Sequence, residues 1–160
     1  MARQFSMPYQ IPPVTLLPAA ADAAGRTGVY ASLRNALKAW IVCEVSQGNA
    51  ATVEFIPLQA TDSLGTNSKA ISAAPIWLVA DTSVSDALVA QAAAANFTTS
   101  ATLKDKLVVF EIEPEAALDM ANGFNHIAIQ TGASNASNVT AAHLFILGAV
   151  QAASPPTTIA

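Results

Sequence analysis

The chain has 160 residues, a formal net charge of −4 and only 11% charged residues against 52% hydrophobic ones. One domain of this length buries roughly 68–70% of its unfolded surface. It therefore needs no metal or disulfide to fold, and its composition is the reverse of a disordered chain's. Seven scattered basic residues and a sequence pI near 4.9 exclude a phosphate-backbone reader, and no run approaches the ~18 apolar residues of a membrane helix. No nucleic-acid or membrane partner is expected.

Residues 1–25 read as an extended N-terminal arm. Pro8, Pro12, Pro13 and Pro18 break any helix and any central strand there. Within the arm, 14–17 suits a short edge strand, while Phe5, Tyr9, Ile11, Leu16 and Leu17 are apolar residues available to dock on a partner. The stretch 19–25 is a small-residue connector.

The domain proper is assigned to 26–153. Ala39, Ile41, Cys43 and Val45 fall on one face of a period-2 strand, and Trp40, Val42, Glu44 and Ser46 on the other. Gln47-Gly48-Asn49 is a turn signal. A second strand over 51–58, with Val53 and Phe55 on one face, completes a predicted hairpin, and Pro57 marks that strand as an edge or as its end. After a loop at 63–68 comes a short core strand at 76–80. Trp40 and Trp77, both inside strand patterns, are assigned to the core.

The single helix candidate is 85–96, capped by Ser85 and rich in alanine, although its apolar stripe is weak and an irregular loop suits it equally. Residues 106–113 alternate clearly, Val108, Phe110 and Ile112 opposing Leu107, Val109, Glu111 and Glu113. Ile127 and Ile129 point inward from a strand at 126–131. A strand at 142–150, apolar throughout, is predicted to be buried on both sides. The tail 154–160, with Pro155 and Pro156, leaves as an extended segment. Short strands without βαβ alternation give an all-β class: an antiparallel β-sandwich or jelly-roll-like barrel with at most one short helix.

Little here resembles catalytic machinery. Cys43 lies mid-strand on an apolar face, which predicts an inert buried thiol. His126 and His143 are isolated, without the Cys/His/Asp/Glu spacing of a metal site. Glu111, Glu113 and Glu115 share one face but read as a solvated strand end, and Gly25-Arg26-Thr27-Gly28 lacks the lysine of a phosphate cradle. No enzyme activity, cofactor or metal is expected.

Several patches resemble one family. They are Gly25-Arg26-Thr27-Gly28-Val29-Tyr30-Ala31-Ser32-Leu33-Arg34-Asn35, the turn Gly48-Asn49-Ala50-Ala51, Val108-Val109-Phe110-Glu111-Ile112, Leu118-Asp119, Gly123-Phe124 and Pro155-Pro156-Thr157. Together these are similar to small head-associated virion proteins of tailed bacteriophages, of the capsid decoration or cement kind. The resemblance implies a β-sandwich or jelly-roll core, a homo-oligomer with a trimer favoured, and the major capsid protein as partner. It also implies a place on the virion head after synthesis in the host cytoplasm, with no catalytic residue to carry over. Arg26 and Tyr30, inside the first patch, join the arm residues as candidate partner contacts. The alanine-rich stretch 84–100 and the long proline-rich arm depart from that pattern. A phage tail or connector component, and a carbohydrate- or ligand-binding sandwich, are the competing expectations. The second of these requires exposed aromatics beside polar groups.

Overall fold

The computed structural model describes residues 6–148, so Phe5, the tail 154–160 and the end of the strand expected at 142–150 lie outside the described residues. In chain order the elements are a one-turn helix α1 (Met7–Gln10), then β1 (Pro13–Ala21), β2 (Ala31–Ser32), β3 (Ala36–Gln47), β4 (Glu54–Ala60), β5 (Lys69–Ala70), β6 (Ala74–Val79), β7 (Val89–Ala94), β8 (Phe97–Thr98), β9 (Asp105–Ile112), a second one-turn helix α2 (Pro114–Ala117), β10 (His126–Thr131) and β11 (Asn138–Gly148). All pairings are antiparallel. The larger sheet has the order β1-β11-β3-β9-β6-β7, and the smaller β2-β10-β4-β5, with β8 also on β4. The all-β sandwich expectation is met, and the sheets do not close into a barrel.

Period-2 alternation builds the core. Ile41, Cys43 and Val45 of β3, Val108, Phe110 and Ile112 of β9, and Ala142 and Leu144 of β11 face Phe55, Ile127 and Ile129 of the smaller sheet, all essentially inaccessible to water. Burying a side chain of Val, Leu, Ile or Phe size contributes about 1.5–3 kcal/mol each.

Five sequence expectations need correction. First, β3 and the strand after it are not a hairpin, because they lie in different sheets. Residues 48–53 cross the sandwich instead. Asn138 pins the crossing by accepting from the Asn49 N–H (2.8 Å) and donating to the Ala51 carbonyl (3.1 Å). Gln47 donates to the same carbonyl (2.7 Å). A β-carbon on Gly48 would lie 2.5 Å from the Ser137 carbonyl oxygen, so the chain turns there only as glycine.

Second, β4 neither ends at Pro57 nor forms an edge, since it runs to Ala60 and carries β5 and β8 on its far side. Along an extended strand a residue's nitrogen and carbonyl point the same way, and the Pro57 carbonyl accepts from the Ile71 N–H (3.2 Å), on the side of the two-residue β5. The missing donor thus faces the short neighbour, and pairing with β10 continues through Ala60.

Third, 85–96 is neither helix nor irregular loop throughout, since Val89–Ala94 form β7 on β6. A helix of alanines offers no apolar face worth burying, whereas a strand satisfies half its backbone on the sheet. Among the described residues the helical segments are the single turns α1 and α2 and a 3-10 turn at Met120–Asn122, where at most one short helix is expected. Fourth, β11 is not buried on both sides: His143, Phe145 and Leu147 are partly exposed.

Fifth, the arm reading stops at residue 12. From Pro13 the chain is built into the sheet as edge strand β1 on β11, and Leu16 and Leu17 are core residues, 0% and 2% exposed. Neither is open to a partner. Arg26 holds this strand in place. Its guanidinium donates to the carbonyls of Pro18 (2.8 Å), Ala20 (3.2 Å) and Thr140 (2.9 Å), and to the Thr140 hydroxyl (2.7 Å). Asp22, fully buried, accepts from the Thr131 hydroxyl (2.6 Å) and sits 3.6 Å from Arg26 Nε.

Candidate functional site: the outer face of the larger sheet

In a half-solvated antiparallel sheet the residues between core positions are normally polar. The larger sheet breaks that rule. Outward positions of β3 are Lys38, Trp40, Val42 and Glu44, those of β9 are Leu107, Val109 and Glu111, and those of β11 are His143, Phe145 and Leu147. The register sets these side by side. Phe145, Trp40 and Glu111 form one row across three strands, and His143, Val42, Val109 and Trp77 of β6 form the next. Trp40, Val42, Trp77, Leu107, Phe145 and Leu147 are all partly exposed. Trp40 and Trp77 are therefore not core residues. They are the aromatic centre of an exterior apolar surface spanning four strands.

Polar groups rim this surface. Lys38 forms an ion pair with Glu111, lies 3.7 Å from Glu113, and stands over the Trp40 ring at 5.9 Å from its centre. The Trp77 indole N–H donates to Glu111 (3.1 Å). The hydrogen bond from Lys38, then that from Trp77, holds the Glu111 carboxyl below the usual carboxylate range, and the same contact raises Lys38. Of the three glutamates predicted to share a face, Glu111 and Glu113 meet at Lys38, while Glu115 lies in α2. A cleft of about 470 Å³ at this end is lined by Leu37, Lys38, Glu113 and Glu115 among others.

A pH dependence follows. Because Glu111 is depressed, its contribution is present above the ordinary glutamate range and is lost as pH falls through its own lower value. Tryptophan fluorescence is expected to shift at a pH below that of an ordinary glutamate, and Glu111→Gln is expected to remove the transition. A midpoint at the ordinary value, or a transition that survives the substitution, would contradict the assignment.

The other candidates lie elsewhere. Cys43 is buried between Ala142 and Val108, and burial pushes its thiol upward, as expected of an inert core residue. His126 sits in the other sheet, its pKa lowered by burial and then by Arg34. Among the described residues no cluster of His, Cys, Asp and Glu could hold a metal ion. No helix among them is long and apolar enough to cross a membrane.

Of the predicted partner contacts, Tyr9 is exposed and Ile11 partly so. Arg26 is consumed by the β1 clamp. Tyr30 is 9% exposed, its hydroxyl 2.6 Å from Ser68 Oγ and its ring against Gly65. The structure thus gives Leu16, Leu17, Arg26 and Tyr30 architectural roles, because each fills the core or ties a loop. The outer face escaped the sequence reading, and its only signal was the apolar content of the second face of β3 and β9.

No family model and no curated protein matches the chain. Among solved structures, the SPBc2 prophage-derived protein YomS is similar at a TM-score of 0.46 and 11% identity, over 84% of this chain and 90% of that one.

Proposed function

We propose that this chain is a structural virion subunit of a tailed phage, a decoration or cement protein that stabilises the head by binding between major capsid proteins through the outer face of its larger sheet. The observation that carries the reading is the apolar, Trp-centred face. Exposed patches of this kind mark protein contacts, and aromatics are enriched in them. The low charge content and the sequence resemblance to head-associated proteins point the same way. Repetition over a lattice multiplies weak joints, so each contact needs only modest affinity.

A second reading, a carbohydrate-binding sandwich, gains from the same tryptophans, which stand beside Lys38 and Glu111. Ligand sites are concave, however, and here the two rings stand on paired strands with Val42 and Val109 between them. Sedimentation of the full chain with empty heads of its phage decides between them. Saturable binding at a fixed number of copies per head is expected. Failure to bind heads, together with a specific hit on a glycan array, would transfer the assignment to the second reading.

A further inference from the structure

Both ends of the outer face are acidic. At the α2 end Glu111, Glu113 and Glu115 stand around a single lysine, Lys38, which is already paired with Glu111. At the opposite end Glu44 of β3 and Asp105 of β9 are both exposed, and they line a second cleft of about 430 Å³ with Ser46, Thr82 and Leu107. The nearby lysines do not answer these two carboxylates. Lys104 is spent on Asp81, and Lys106 is buried, its ammonium donating to Gln47 and to the Thr102 carbonyl. Between the two ends β3, β9 and β6 present Trp40, Val42, Leu107, Val109 and Trp77. The five carboxylates and Lys38 together carry −4, the formal charge of the whole chain, since the other six acidic and six basic residues of the sequence balance. The net charge is thus gathered at the two ends of one apolar strip.

We infer that the partner of this face is a protein surface with an apolar centre and lysine or arginine on both sides of it. The inference rests on the proposal that the outer face docks on phage heads, and adds the chemistry of what it meets there. Asp105 and Glu111 are the two ends of one run of outward positions on β9. Six residues at about 3.3 Å each place the acidic ends roughly 20 Å apart, and the partner's basic groups are spaced to match. Charge also rules out a second copy as the occupant. Two such faces laid together would set carboxylates against carboxylates in either orientation, because both ends are acidic, and like charges across a contact are costly. Exposed charges at the border of a contact act mainly on the rate of association. Their field steers the encounter, while the apolar centre sets how long the contact lasts.

The test is the kinetics of the full chain binding to empty heads of its phage, followed over a range of salt concentrations. Between about 0.02 and 0.3 M salt, association is expected to slow about tenfold or more while dissociation changes little. The E113K/E115K and E44K/D105K variants each reverse one end. All four side chains are exposed, so the fold should survive, as circular dichroism can verify. Each variant is expected to associate about tenfold or more slowly at low salt. Arg34 is exposed beside the smaller sheet, and Arg34→Glu changes the net charge without touching the face. It should leave the association rate within about twofold. Binding whose rate ignores salt and both reversals, or increases with them, overturns this inference and leaves the docking proposal standing. A rate that follows total charge wherever the substitution lies, Arg34→Glu included, overturns it as well. Absence of binding to heads at every salt concentration overturns both.

Discussion

Arg26→Ala is expected to destabilise the fold by about 3–5 kcal/mol, the largest effect of any single polar substitution considered. The reason lies in what the change leaves behind. Asp22 is fully buried, and its Oδ2 has no hydrogen-bond partner among the described residues. Without the guanidinium, its charge is held only by the Thr131 hydroxyl. At the same time the carbonyls of Pro18, Ala20 and Thr140 lose their donor. For a domain this size the loss corresponds to roughly 10 °C in melting temperature. Asp22→Ala should cost less, because Arg26 keeps its carbonyl partners and its side chain is 24% exposed, so water can reach it. The double variant should then be more stable than Arg26→Ala alone, a sign reversal that a double-mutant cycle measures directly. Equal and additive losses would show that Arg26 acts through its carbonyl contacts and not through the buried carboxylate.

Trp40→Ala and Trp77→Ala are each expected to weaken binding to phage heads by about thirtyfold, the equivalent of about 2 kcal/mol for a central aromatic anchor. Because both rings are only partly buried, the fold should survive, as circular dichroism can verify. Val42→Asp provides the sharper discrimination. Val42 sits between His143 and Val109 in the row beside the Trp40 row. A carboxylate there would be desolvated without a partner under a protein surface that covers the face, and binding should fall comparably. A sugar stacked on one tryptophan would leave Val42 uncovered and indifferent. Unchanged head binding in all three variants would remove the outer face from the proposal.

The strands were largely legible, for a physical reason. Where one face alone carries the large apolar residues, as at Ile127 and Ile129, alternation alone fixes both the strand and its inward side. The same logic could not place Trp40 and Trp77. β3 and β9 are apolar on both faces, and period 2 distinguishes two sides without saying which meets water. That choice is made by long-range pairing, Trp40 beside Phe145 more than a hundred positions away.

The failed hairpin has a related origin. Gln47-Gly48-Asn49 announces a reversal, but whether the next strand returns beside the first or crosses to the other layer is set by Asn138, which the turn residues do not reveal. The alanines of β7 favour a helix locally, and the open flank of β6 outweighs that preference. The prolines around Leu16 and Leu17 suggest a docking arm, yet prolines equally suit the edge strand of a sheet.

The pairing of β1 with β11 sets an order of events on the ribosome. β1 finds its ladder partner only after more than a hundred further residues have been synthesised, since Pro13 matches Phe145 and Ala21 matches Val139. Until then Leu16 and Leu17 have nowhere to hide, and an unpaired nascent strand invites mispairing with neighbouring polypeptides. Pro13 and Pro18, which cap the finished sheet's border, also serve this waiting period, keeping the segment a poor template until its proper mate arrives.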